Sequence, residues 1–216
     1  MNTIITILNR IDIAAPFLAL LFFIKPYKLL SKELRYIFWF VFVQFITNVL
    51  AIVLETFKLA NYSVYAVNII LSFGILSALF YRFNIASIKK LVPVATLIFL
   101  ICTIISLANG DGIETYNSIV SAVASFVITA YCLIFFYWRL VKDTTLSGLT
   151  DHAIFWIIIG IFTYYTGSFF IFISYKYLID REFDSVGILW RFHNVLLTIF
   201  CIYTIYGLTC KDYQKT

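Results

Sequence analysis

Seven long apolar runs, at about 4–25, 35–57, 63–86, 90–108, 115–139, 152–177 and 187–209, follow one another with only short polar or charged junctions between them. A helix needs roughly 20 predominantly apolar residues to cross the hydrocarbon core of a bilayer, and each run is close to that length. Lipid offers no partner to backbone N–H and C=O groups, so a spanning segment must be a helix or part of a closed barrel. These runs are too long for barrel strands, which take about 10 residues each. The chain is therefore expected to be an all-α integral membrane protein, a seven-transmembrane-helix bundle forming a single transmembrane domain over residues 1–216.

Composition agrees with this. Hydrophobic residues make up 62% of the chain and charged residues 12%, about half the charge that covers an ordinary soluble domain. The net charge of +5 does not point to nucleic acid, because the cations sit singly or in small groups at the ends of apolar runs, with no basic amphipathic stretch. They read as topology determinants. Lys25, Lys28, Lys32, Arg35, Arg82, Lys89, Lys90, Arg139, Lys142, Lys211 and Lys215 fall on one side, eleven in all, against Arg10, Lys58, Lys176, Arg181 and Arg191 on the other. Positive loops stay in the cytoplasm, so the N-terminus is expected outside and the C-terminus inside, with an odd number of spans between them. The first run has no small-residue cleavage site and is expected to be a retained helix. Multi-pass residence in a bacterial cytoplasmic (inner) membrane follows, with the lipid bilayer as first partner.

Association of helices in lipid depends on close approach through small residues. Ser118, Ala122, Ser125 and Thr129 line one face of the fifth run, Gly160, Thr163 and Gly167 one face of the sixth, and Gly74 and Ala78 one face of the third. All are expected to be packing seams. Pro16 is expected to kink the first helix, whereas Pro93 is expected at the tolerated start of the fourth. Trp39, Trp138, Trp156 and Trp190 lie near span ends, where indoles favour the headgroup level. Cys102, Cys132, Cys201 and Cys210 lie within or at the ends of apolar runs, with the spacing of neither a disulfide framework nor a metal site.

Ionisable and amide groups inside hydrocarbon are costly, which makes them the first functional candidates. Gln44, Asn48 and Glu55 share one face of the second run; Arg191, Asn194 and Thr198 share one face of the seventh, with His193 alongside. Asn68, Asn117, Tyr164 and Tyr165 belong to the same outer half. The expected site is an outward-open cavity among helices two, three, six and seven, floored by Gln44 and Asn48, with Glu55 and Arg191 as a charge pair or ligand clamp. Its candidate lining is Gln44, Asn48, Glu55, Asn68, Tyr164, Tyr165, Arg191, His193 and Asn194. The plainer alternative has Arg191 snorkelling to the interface, Glu55 among the headgroups, and the amides bonding neighbouring helices. His193 is a secondary candidate as a proton sensor.

Catalysis is not expected. His152 and His193, on different helices, do not make the His-Glu-x-x-His of a metalloprotease. The chain has no Gly-x-Ser-x-Gly turn, phosphate-binding glycine loop or acidic cluster for magnesium, and no lysine in the seventh run for a retinal Schiff base. No cofactor and no metal are expected.

The stretch Phe155, Trp156, Gly160, Tyr164, Tyr165, Gly167, Ser168, Phe172, then Ile188, Leu189, Trp190, Arg191, Phe192, His193 and Asn194, with the cationic junction from Lys25 to Arg35, resembles a family of small, uncharacterised seven-helix membrane proteins of Bacteroidota bacteria. Leu189, Trp190 and His193 match a Leu-Trp-x-x-His stretch of that family, and Arg191 has no clear counterpart in it. Members are often found beside sensor histidine kinases, so the resemblance implies a membrane sensing or signalling subunit with a sensor kinase or other membrane partner. A small-solute or ion transporter and a structural subunit of a membrane complex are the rival expectations.

Overall fold

The computed structural model describes residues 10–24, 27–111, 113–142, 152–180 and 186–210, and every regular element among them is helical. The helices are α1 (Ile11–Ile24), α2 (Lys32–Thr56), α3 (Tyr62–Arg82), α4 (Ala86–Ala108), α5 (Ser118–Tyr137), α6 (Ala153–Asp180) and α7 (Val186–Thr209). A 3₁₀ turn at Tyr27–Leu29 precedes α2, and a π turn at Trp138–Lys142 extends α5. Helices α2 to α7 are each long and apolar enough to cross a membrane. The described part of α1 has 14 residues, or about 21 Å at 1.5 Å per residue. The first part of the first apolar run, 4–9, and the junction residues Lys25, Arg181, Lys211 and Lys215 lie outside the described residues.

Local chemistry sets the helix ends. Ser31 caps α2, its hydroxyl accepting from the backbone N–H of Leu34 at 3.3 Å, and Glu33 lies in the first turn, where the helix dipole favours an anion. Asn117 caps α5 by accepting from Val120 N–H. Asn84 adopts φ 58°, a left-handed conformation that asparagine tolerates better than most residues. The turn it makes ends α3 at Arg82 and lets α4 begin at Ala86, so Pro93 stands inside α4 rather than at its start. The predicted start fails because the chain re-enters a helix four residues earlier than the apolar run does.

The helices form a closed circuit. α1 packs on α2, α2 on α3, α3 on α5, α5 on α6 and α6 on α7, and α7 returns to α1; α4 lies outside the circuit against α3 and α5. Side chains of Phe40, Leu76, Phe80, Ile128, Tyr131, Ile157, Ile161 and Phe200 fill the interior with no appreciable exposure. Outward faces carry exposed Leu, Ile, Val and Phe on every helix; Val94, Leu97, Ile98, Ile101, Ile104 and Ile105 of α4 make one continuous strip. An apolar exterior of that extent is stable only against lipid.

The α6–α7 contact depends on glycine at three levels. A Cβ at Gly160 would lie 2.9 Å from Tyr203 Cβ and 3.2 Å from the Phe200 carbonyl oxygen, one at Gly207 would lie 2.7 Å from the Ala153 carbonyl oxygen, and one at Gly167 would strike the side chain of Leu196. The two helices therefore touch nearly backbone to backbone, as the small-residue spacing on the sixth run predicts. Gly74 corrects the matching expectation for the third run: it is exposed, and a Cβ there would meet nothing within 4 Å, so it faces lipid and not a neighbouring helix.

Candidate functional site

Polar side chains gather at the end of the bundle that holds the start of α1, the end of α2 and the start of α7. A vestibule of about 460 Å³ opens there, lined by Asp12 of α1, Glu55 of α2, Tyr62 and Tyr65 of α3, Tyr116 just before α5, Tyr175 of α6, and Trp190, Arg191 and Asn194 of α7. Beneath it lies a second, much smaller chamber of about 40 Å³, into which Gln44, Asn48, Asn68, Ser72, Ser125, Tyr164, Tyr165, Ser168, His193 and Asn194 project. That chamber has space for water but not for an organic solute.

Three aromatic rings, Tyr65, Tyr116 and Trp190, line both spaces, and Tyr175 packs against two of them from the vestibule side. Tyr65 stacks on Trp190 at a centroid distance of 5.7 Å, Tyr116 meets Trp190 edge-on at 5.0 Å, and Tyr175 closes on Tyr116 at 5.1 Å and on Trp190 at 5.8 Å. These offset and edge-to-face arrangements are the favoured aromatic geometries. The four rings come from α3, the α4–α5 connection, α6 and α7, so any change in how these elements pack alters this shared wall. Ser121 Oγ donates to the Tyr116 hydroxyl at 3.1 Å and fixes that ring against α5.

The deep chamber is organised by hydrogen bonds. Gln44 Nε2 donates to Ser72 Oγ at 3.0 Å, Ser72 Oγ donates to Asn68 Oδ1 at 3.1 Å, and Asn68 Nδ2 donates back to Gln44 Oε1 at 3.4 Å. This closed cycle ties α2 to α3 near mid-helix. Asn48 Nδ2 donates to the Asp12 carbonyl at 2.8 Å and so fixes α1 against α2. His193 Nε2 lies 3.2 Å from the Tyr164 hydroxyl and Nδ1 3.2 Å from Ser168 Oγ, so both ring nitrogens have partners on α6. Ser125 Oγ is buried with no hydrogen-bond partner.

All nine residues expected to form the site line one or both spaces, although they are divided between them. Gln44, Asn48, Asn68, Tyr164, Tyr165 and His193 belong to the deep chamber, Glu55 and Arg191 to the vestibule, and Asn194 to both. Three parts of the expectation need correction. The cavity is not confined to helices two, three, six and seven, since Asp12 of α1 and Tyr116 and Ser125 at α5 also line it. Gln44 and Asn48 line the smaller chamber rather than the larger open space. Glu55 and Arg191 do not form an ion pair; among the described residues the one ion pair, Arg82 with Glu33 at 3.0 Å, lies at the opposite end of the bundle. The Arg191 guanidinium instead reaches back over Gly187, toward the start of α7.

Sequence reasoning missed the aromatic layer. Trp190 read as a headgroup anchor, and Tyr65, Tyr116 and Tyr175 carried no distinguishing spacing. Of these only Tyr116, a lone tyrosine beside a helix-capping asparagine, carried a local signal.

No family model, curated protein or solved structure matches the chain. Its fold and surface define it as an all-α, multi-pass membrane protein in contact with the lipid bilayer. Its distinguishing feature is a polar vestibule that shares a wall of aromatic rings with a smaller polar chamber.

Proposed function

We propose that this protein is a receptor-like or sensor subunit of the cytoplasmic membrane. It spans the bilayer seven times, α1 included, with the N-terminus and vestibule outside and the C-terminus inside. The observation that carries this reading is that the vestibule is blind. Below it come the aromatic layer, a chamber with space only for water, and then the packed layers of Phe40, Leu76, Phe80, Ile157 and Phe200. Among the described residues the space beyond the vestibule narrows to that small chamber and packed side chains, a layout that suits detection better than transport.

Binding in the vestibule would shift Trp190 and the tyrosines it touches, and Trp190 and Tyr175 sit on α7 and α6. These helices are locked together through Gly160, Gly167 and Gly207, so a displacement at the vestibule is transmitted to their far ends as a rigid pair. The basic junctions at the cytoplasmic side would then present the change to a partner, a sensor kinase being the one the family resemblance implies. The test is purification from native membranes followed by a phosphorylation assay on any co-purifying kinase, with wild type compared with Trp190→Ala. A kinase whose activity differs between the two supports the reading. Solute flux through proteoliposomes that Trp190→Ala alters would replace it with transport.

A further inference from the structure

Among the described residues the vestibule is lined by carboxylates on one side and Arg191 on the other with no ion pair between them, Arg10 acting on Asp12 at longer range. Asp12 and Glu55 lie on the α1–α2 side, close enough to each other and to the Tyr65 hydroxyl to interact electrostatically. Arg191 lines the α7 side and makes no ion pair among the described residues. One carboxylate oxygen of Asp12, Oδ1, is buried without a hydrogen-bond partner. The carboxyl as a whole has the backbone N–H groups of Asp12 and Ile13 and the Arg10 charge beside it, so it lends negative potential to the vestibule rather than an open acceptor. Between the two sides the wall is the stacked Tyr65–Trp190 pair and the Tyr116 ring.

These features select among ligand classes. A simple anion would be drawn to Arg191 and repelled by two carboxylates. A divalent cation finds no cluster of three His, Cys, Asp or Glu side chains among the described residues and would face a guanidinium. A purely cationic ligand would leave Arg191 unpaired beside the start of α7, where the helix dipole already disfavours a positive charge. A molecule carrying both charges meets every demand. Its ammonium brings three donors to Glu55, within the negative potential of Asp12, and can lie against aromatic faces. Its carboxylate matches the two-pronged guanidinium of Arg191 and sits favourably near a helix N-terminus. The volume of about 460 Å³ falls in the range of small-molecule sites.

We propose that the vestibule binds a small zwitterion of the amino-acid type, its ammonium held by Glu55, within the negative potential of Asp12, over the Tyr65–Trp190 pair and its carboxylate by Arg191. The proposal rests on the reading of the vestibule as a ligand site and adds the chemical class.

The experiment uses the full chain in nanodiscs and measures binding of the free protein amino acids, each alone at millimolar concentration, by thermal shift and calorimetry. The best binder is then compared with its carboxamide, which keeps only the cation, and its N-acetyl derivative, which keeps only the anion. The expected result is that both derivatives bind at least about tenfold more weakly, roughly one lost charge-assisted contact each. Glu55→Gln should erase the preference over the N-acetyl derivative, and Arg191→Gln the preference over the carboxamide. Arg191→Lys, which keeps charge but not the fork, should retain part of it. Equal binding of the carboxamide, with dependence on Glu55 and Trp190, would overturn the zwitterion while leaving a cation site in the vestibule. If no amino acid binds, the zwitterion fails and the vestibule reading stands or falls on the kinase assay; if one binds with indifference to Trp190, Glu55 and Arg191 alike, both fail.

Discussion

Gly160→Ala adds one methyl at the closest approach of α6 and α7. The new Cβ would stand 2.9 Å from Tyr203 Cβ, 3.2 Å from the Phe200 carbonyl oxygen and 3.3 Å from Phe200 Cα. Two of these three neighbours are backbone, which no rotamer change can move, so the helices must separate by a few tenths of an ångström. Overpacking of this kind costs about 1–3 kcal/mol. Gly74→Ala is the control: nothing lies within 4 Å of its Cβ position, and alanine is the better helix former by up to about 1 kcal/mol. The two substitutions are chemically identical and should act in opposite directions. Gly207→Ala, against the Ala153 carbonyl, should resemble Gly160→Ala, whereas Gly167→Ala meets only the Leu196 side chain and should cost less. The assay is thermal unfolding of the purified protein in one detergent, followed by size-exclusion fluorescence. Equal melting points for Gly160→Ala and Gly74→Ala would refute the claim that α6 and α7 pack backbone to backbone.

Two further outcomes concern the deep chamber. Gln44→Leu breaks the three-membered cycle and leaves Asn68 Nδ2 without its acceptor, for an expected loss of about 1 kcal/mol, in the range measured for hydrogen bonds between membrane helices; a melting point equal to that of wild type would argue against the cycle. His193→Ala, which deprives Tyr164 and Ser168 of their shared partner, should destabilise more than His193→Gln, whose amide can still reach one of them, and the same melting assay decides between them.

How much was legible beforehand depended on the kind of signal. The spans were readable because lipid forces both length and apolarity on a helix, and α2 to α7 follow the apolar runs to within a few residues. The exception, the α3–α4 junction, turns on Asn84 taking a left-handed conformation, a single-residue event that hydropathy does not register. The polar residues of α2 and α7 were readable as candidates because any amide or charge stands out in an apolar run. Their division between two spaces was not, since it is made by tyrosine and tryptophan, which suit a membrane interface and a barrier equally well. Gly74 and Gly160 looked alike for a related reason: helical spacing shows that small residues share a face but not whether that face meets a neighbour or lipid.

The central claim of the proposed reading is a vestibule that opens to the outside and is closed to the inside, and cysteine accessibility in intact cells tests it directly. With the partly exposed native thiols removed by Cys102→Ser and Cys210→Ser, a membrane-impermeant maleimide should label Glu55→Cys from outside. It should label Arg139→Cys only after the membrane is opened. Ser72→Cys, below the aromatic layer, should resist labelling from both sides until Trp190→Ala is added, and then react from the outside alone. Labelling of Ser72→Cys from the cytoplasmic side, or of Glu55→Cys only in opened cells, would contradict the account.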